Sequence, residues 1–222
     1  MHLVIEKLNL IKNKVNNIIA KKQLKTHPEI IVVTKKFPLN KIKPLLDSGH
    51  IHYGENKVQE AEEKWLQVKR EYKNIKLHMV GKLQTNKVKS ALKLFDYIHS
   101  LDNEKLALKI SHIQKEFGKN INLFIQINLA EETHKSGVTL NNLDDFYYYC
   151  TKELSLNVIG LMCLPPIDVS PQKYFKLLNQ NKIRLNLNEL SMGMSSDFEE
   201  AVLNNSTYLR IGTLIMGRRD II

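Results

Sequence analysis

Two stretches near the C-terminal end carry the residue types of an anion site. They are Leu190-Ser191-Met192-Gly193-Met194-Ser195-Ser196-Asp197 and Arg210-Ile211-Gly212-Thr213-Leu214-Ile215-Met216-Gly217. Each reads as a short buried strand opening into small and hydroxyl residues. Two adjacent strand ends of this kind can turn backbone N–H groups and hydroxyls onto one phosphate. Far upstream, Lys35 follows the apolar run Ile30-Ile31-Val32-Val33-Thr34. A lysine amine set beside a phosphate cradle has the makings of a Schiff-base site for a phosphorylated aldehyde.

For these residues to meet, the chain between them must bring its strand ends to one rim. The hydrophobic pattern allows this. Leu3 to Lys22 places Leu3, Ile5, Leu8, Ile11, Val15, Ile18 and Ile19 at helical spacing. After Pro28, short β-branched runs alternate with helical patterns. Strands are expected at 30–34, 51–54, 76–80, 97–101, 122–129, 157–164, 189–192 and 208–211. Helices are expected between them at 39–46, 57–72, 85–94, 103–117, 140–154, 171–183 and 197–203. Strand–helix alternation demands parallel pairing with right-handed crossovers. Eight such strands close into a single-domain α/β barrel of the (β/α)8 TIM type, here with an extra N-terminal helix. An open doubly wound sheet would carry a Gly-rich turn after its first strand, where this chain has Thr34-Lys35-Lys36. No linker or composition shift divides the 222 residues, so one domain over 1–222 is expected.

In such barrels active sites gather at the C-terminal ends of the strands. The polar residues there are Lys35 and Lys36, Glu55 and Asn56, Lys82 and Gln84, His99 and Asp102, Asn128, and then Ser191, Ser195, Arg210 and Thr213. The last two strands hold the usual phosphate position, which specifies phosphate but not the identity of the ligand. Lys35 and Lys36 compete for the barrel mouth, because neighbouring strand residues face opposite sides. A lysine that is merely solvated is the commoner case. Arg210 needs an acceptor if it is buried. A pyridine nitrogen would serve, and so would a structural salt bridge to Glu55 or Asp197, which position alone favours. His78 and His99 show no metal-ligand spacing and read as core residues or as supports of the site. The run Phe146-Tyr147-Tyr148-Tyr149 reads as a helix face.

Composition is that of a globular chain, 43% hydrophobic and 25% charged. The net charge of +10 comes from lysines scattered along the whole chain. That argues against a dedicated nucleic-acid surface, which would cluster them. Cys150 and Cys163 have no CxxC spacing and read as reduced structural thiols. The N-terminus lacks a signal-peptide pattern, and no run reaches membrane-spanning length. A cytoplasmic protein is expected.

Longer motifs then converge. Val33-Thr34-Lys35-Lys36-Phe37-Pro38, Tyr53-Gly54-Glu55-Asn56-Lys57-Val58-Gln59-Glu60 and His78-Met79-Val80-Gly81-Lys82-Leu83-Gln84-Thr85-Asn86-Lys87 occur in that order. With Lys135-Ser136-Gly137, Gly160-Leu161-Met162 and the two C-terminal cradles, they resemble the pyridoxal phosphate homeostasis protein family, relatives of the alanine racemase N-terminal barrel. The resemblance runs from about Pro28 to Arg219. It departs from the family at Asn205, where Gly is common, at Met216, where Phe is usual, and at Val80, where Ile is usual.

The resemblance implies pyridoxal 5'-phosphate (PLP) as cofactor, held as a reversible Schiff base on Lys35 and not Lys36. It implies a phosphate held by Ser195, Gly212 and Thr213, a ring nitrogen facing Arg210, and Asn56 and Met162 around the ring. The implied function is intracellular PLP (vitamin B6) homeostasis by holding, buffering or delivering the cofactor. PLP-dependent apo-enzymes are its implied recipients, and the protein is expected as a monomer or weak dimer. Alanine racemases add a catalytic tyrosine from a second domain, for which this sequence leaves no stretch, so a non-enzyme is expected. The alternatives are a racemase that depends on a partner's base, and a phosphosugar-binding barrel without PLP.

Overall fold

The computed structural model describes residues 2–130, 132, 136–166 and 169–218. Eight parallel strands close in sequence order into a barrel. They are β1 (Glu29–Val33), β2 (His52–Glu55), β3 (Lys76–Met79), β4 (Tyr97–Leu101), β5 (Asn122–Ile127), β6 (Val158–Cys163), β7 (Glu189–Ser191) and β8 (Tyr208–Ile211). β8 pairs with β1, Ile31 lying opposite Arg210, and this pairing shuts the sheet on itself. Closure leaves no strand edge unpaired.

The helices are α1 (Leu3–Lys22), α2 (Leu39–Asp47), α3 (Val58–Glu71), α4 (Val88–Leu94), α5 (Glu104–Phe117), α6 (Leu143–Tyr148), α7 (Gln172–Arg184), α8 (Phe198–Leu203) and α9 (Thr213–Met216). α1 buries Val4, Leu8, Ile11, Val15 and Ile19, spaced three or four apart, which is one face of a helix. It packs on α2, α8 and α9. Because α9 after β8 is a single turn, α1 fills the place of the eighth outer helix. The extra helix is thus what completes the ring.

The helix expected over 140–154 divides into a 3-10 turn at Leu140–Asn142, α6, and a wider π turn at Tyr149–Glu153. The Thr151 hydroxyl donates to the Tyr147 carbonyl at 2.8 Å, a back-bond that competes with regular helix hydrogen bonding. β5 stops at Ile127, two residues before the expected end. There the chain turns to pair Ile127 with Val138.

Strand residues alternate between two environments. Outward-facing Ile30, Val32, Leu77, Ile98, Leu123, Leu161, Leu190 and Leu209 join the helices in one hydrophobic layer. Inward, a smaller cluster of Ile31, Phe124, Met162 and Tyr208 shares the barrel with His52, His78, His99, Ser191 and Arg210.

Candidate functional site

The C-terminal mouth of the barrel holds a pocket of about 420 Å³ lined by Val33, Lys35, Asn56, Val80, Leu164, Met194, Ser195, Ser196, Arg210, Gly212 and Thr213. It therefore gathers Lys35, Asn56, Ser195, Arg210, Gly212 and Thr213 from four strand ends. Met162 does not line it. That side chain is fully buried inside the barrel, packed with Ile31, Phe124 and Tyr208, so the structure does not bring it to the pocket with the other expected residues. Lys135 lies outside the described residues.

Local chemistry fixes the turn that carries Lys35. Buried Glu55, at the end of β2, accepts on Oε1 from the Thr34 hydroxyl at 2.7 Å, Lys64 Nζ at 2.9 Å and Trp65 Nε1 at 3.0 Å. Lys64 also donates to the Thr34 carbonyl at 3.0 Å. The backbone just before Lys35 and just before Asn56 is thereby tied to α3. Lys36 takes a left-handed conformation (φ 65°) and is exposed, its N–H donating to Glu60. Of the two neighbours, Lys35 lines the pocket and Lys36 does not. Sequence reasoning placed Glu55 at the rim without seeing it as the anchor; its position between a strand and an Asn was the available signal.

The cradle is built from two strand ends. Gly193 follows β7 with φ 92°, and a Cβ there would come within 2.5 Å of the Ala201 side chain. Glycine is required both for the turn and for the close approach of α8. The turn continues through Met194, whose N–H donates to Asp197 Oδ1 at 2.6 Å. Ser195 Oγ accepts from the Leu214 N–H at 3.3 Å, joining the β7 loop to the β8 loop. Ser196 and Met194 also line the pocket and were not singled out from sequence.

Arg210 is 5% exposed and makes no salt bridge with Glu55 or Asp197, contrary to the pairing that position alone favoured. Glu55 points outward to Thr34, Lys64 and Trp65, and Asp197 caps its own turn. Arg210 Nη1 donates instead to Ser191 Oγ at 2.6 Å, and Nη2 to the Cys163 carbonyl at 2.8 Å. Burial pushes its pKa down, while Cys163 and Asp197 oppose that shift. A guanidinium stays charged and carries five N–H donors. Two are used in these bonds among the described residues, so this buried cation has donors to spare at the pocket wall. Cys163 lies next to it with its thiol pushed up to about 12 by burial, which keeps it in the thiol form.

Residues 8–220 match the family model of the alanine racemase N-terminal domain. Among similar proteins, the pyridoxal phosphate homeostasis protein of Aquifex aeolicus is 36% identical over 202 residues, covering 86% of this chain and 87% of that one. That of Escherichia coli K12 is 30% identical over 200 residues, covering 86% of each. Among solved structures, PipY of Synechococcus elongatus with PLP bound matches with a TM-score of 0.77 at 31% identity, covering 91% of this chain and 100% of that one. An alanine racemase from Clostridium difficile shares the fold at 14% identity with a TM-score of 0.71, and this chain covers 57% of it. The chain belongs to the alanine racemase N-terminal-domain family and, within it, to the pyridoxal phosphate homeostasis proteins.

Proposed function

We propose that the barrel holds PLP at its C-terminal mouth and serves cellular PLP homeostasis by keeping and releasing the cofactor. One observation carries the reading: Lys35, Asn56, Ser195, Arg210, Gly212 and Thr213 line a single pocket of about 420 Å³, within the range of small-molecule sites. The residues fit the group. Ser195, Gly212 and Thr213, with Ser196 beside them, suit a phosphate at the position where barrels of this type bind one. Arg210 offers a buried cation with unused donors to a ring nitrogen, and Lys35 supplies an amine.

When bound, PLP supplies an aldehyde that reacts reversibly with amines. Each protein group then has a definite part. Lys35, on a turn held by Glu55, presents its amine from one side. The phosphate cradle fixes the ligand's orientation. Arg210 would hold the ring nitrogen, and its fixed charge would disfavour a second positive charge there. That would suit holding the cofactor better than breaking a Cα–H bond. A racemase would also need a positioned acid/base on each face. No carboxylate, imidazole or phenol is among the described residues lining the pocket. Sequestration limits imine formation with other amines, and PLP-dependent apo-enzymes are the recipients this reading assigns.

The test is the visible absorbance of the purified protein, with Lys35→Ala beside it. We expect the band of lysine-bound PLP in the wild type and its loss in the variant. A band that survives in the variant moves the link to another lysine. No band after adding PLP leaves a phosphate-binding barrel with some other ligand.

A further inference from the structure

A continuous line of hydrogen bonds runs through the barrel from Arg210 to the opposite end. Arg210 Nη1 donates to Ser191 Oγ. Ser191 Oγ lies 2.7 Å from His99 Nδ1, His99 Nε2 lies 2.9 Å from His78 Nδ1, and His78 Nε2 lies 2.9 Å from His52 Nδ1. His52 Nε2 faces Glu29 Oε2 at 3.7 Å. Ser191, His78 and His99 are fully buried or nearly so, and His52 is 6% exposed. Tyr97 stacks on His78 and Phe124 on His99, which holds the rings in place.

The Arg210 end determines the direction, and Glu29 at the other end is compatible with it. Arginine only donates, and an ionised carboxylate only accepts. Ser191 accepts from Arg210, and among the described residues the one acceptor for its own buried hydroxyl proton is His99 Nδ1. A neutral imidazole carries one N–H. With Nδ1 accepting, His99 must donate from Nε2, and the same logic passes to His78 and then to His52. The last N–H is left on His52 Nε2, on the side of Glu29, whose Oε2 lies 3.7 Å away and so pairs with it as a charge rather than through a hydrogen bond.

We propose that Ser191, His99, His78 and His52 are positioning residues forming one directional hydrogen-bond relay, which holds Arg210 in place and makes it responsive to protonation of His52 at the far end of the barrel. The effect on the cofactor rests on the reading that PLP sits against Arg210; the relay itself does not. Adding a proton to His52 places an N–H on Nδ1, where His78 already donates. Two donors cannot face each other at that distance. Either the bond opens or each imidazole in turn exchanges its tautomer, and the Ser191 hydroxyl then loses its acceptor beneath Arg210.

Protons can reach that end. A pocket of about 310 Å³ at the N-terminal side of the barrel is lined by Lys12, Asn16, Glu29, His50 and His52 among others. The groups around His52 are Glu29 on β1, His50 at the entry to β2, Lys76 and His78 on β3, Asp96 before β4, and Tyr208 on β8. Tyr97 stands behind, near both His78 and Tyr208. Burial and Lys76 lower the His52 pKa, while Glu29 and Asp96 oppose them. His78 and His99 are held well below the usual imidazole range by burial, His99 also by Arg210. His52 is therefore the member of the relay placed to take up a proton.

The first arm of the test is long-range proton–nitrogen NMR of the histidine rings in the PLP-free full-length protein at pH 8. We expect His52, His78 and His99 all as Nε2–H tautomers, and loss of that fixed state at His99 in Ser191→Ala. An Nδ1–H form at any of the three in the wild type overturns the relay. The second arm uses PLP-loaded protein, with the visible spectrum followed from pH 8 to pH 5. The wild-type spectrum should change as His52 titrates. In His52→Gln, whose side-chain oxygen still accepts from His78, that transition should be lost. Equal transitions in both proteins overturn the coupling. With no visible band in any protein the functional reading falls, and the tautomer measurement still decides the relay.

Discussion

The layer between strands and helices and the interior of the barrel are built from the same strands, yet they have opposite chemistry. Along β3, Leu77 and Met79 face the helices while His78 faces the axis; along β8, Leu209 and Ile211 face out while Tyr208 and Arg210 face in. The outer layer is continuous and apolar, aliphatic side chains with rings such as Trp65, Phe95 and Phe175 among them, and burying it is the main force for folding. The inner column is narrow, with imidazoles, a hydroxyl and a guanidinium whose polar atoms bond one another. An unpaired polar group there would cost free energy, and from Arg210 to His52 each side chain bonds the next. The contrast shows where this barrel puts stability and where it puts chemistry. A period of two along each strand lets the two functions be altered separately.

Breaking the outer layer should have the largest effect. Trp65→Ala on α3 removes a fully buried ring that also donates to Glu55, and should cost about 3–5 kcal/mol in urea unfolding. It should also loosen the Lys35 turn, visible as weaker PLP retention in the folded fraction.

Acid should act next on the imidazoles of the inner column and on His50 beside its N-terminal end. His50 is lowered to about 4, mainly by burial, and His52, His78 and His99 are lowered as well. These groups are neutral in the fold and charge more readily when unfolded. Their contribution is fully present above the unfolded value of about 6.5 and is lost as pH falls toward the folded values. For His50 alone, a shift of this size corresponds to roughly 3 kcal/mol. The urea midpoint should therefore fall steeply between pH 7 and pH 4. A flat midpoint across that window would show that the imidazoles are not held neutral.

A smaller change sharpens the comparison at the mouth, where the two layers meet. Ser195→Ala removes the hydroxyl that accepts from the Leu214 N–H. It should weaken PLP binding several-fold, on the order of 1 kcal/mol, and leave the melting temperature nearly unchanged. A large loss of stability would mean that the cradle is part of the core.

Much of this was legible beforehand. The strands of the barrel were readable because β-branched runs such as Ile30-Ile31-Val32-Val33 punctuated by Pro and Gly leave few alternatives. α1 was readable from its spacing, but its role as the eighth outer helix was not, since that depends on α9 being a single turn. Lys35, Ser195, Gly212 and Thr213 could be placed on one rim because barrel closure brings strand ends together whatever the loops contain. The partner of Arg210 could not be read, because a charged residue's acceptor is chosen by what lies across the barrel. Glu55 and Asp197 were nearer to hand as charges, yet they face other neighbours.

Pattern and motif thus determined the alternation, the closed parallel sheet and the residues gathered at its mouth, since these follow from local propensity and a period of two. Only the tertiary structure decided that His52, His78, His99, Ser191 and Arg210, drawn from five different strands, form one line. Each is an unremarkable polar residue along the chain. Their order depends on strand register and on the shared axis, where side chains far apart in sequence come within hydrogen-bond distance.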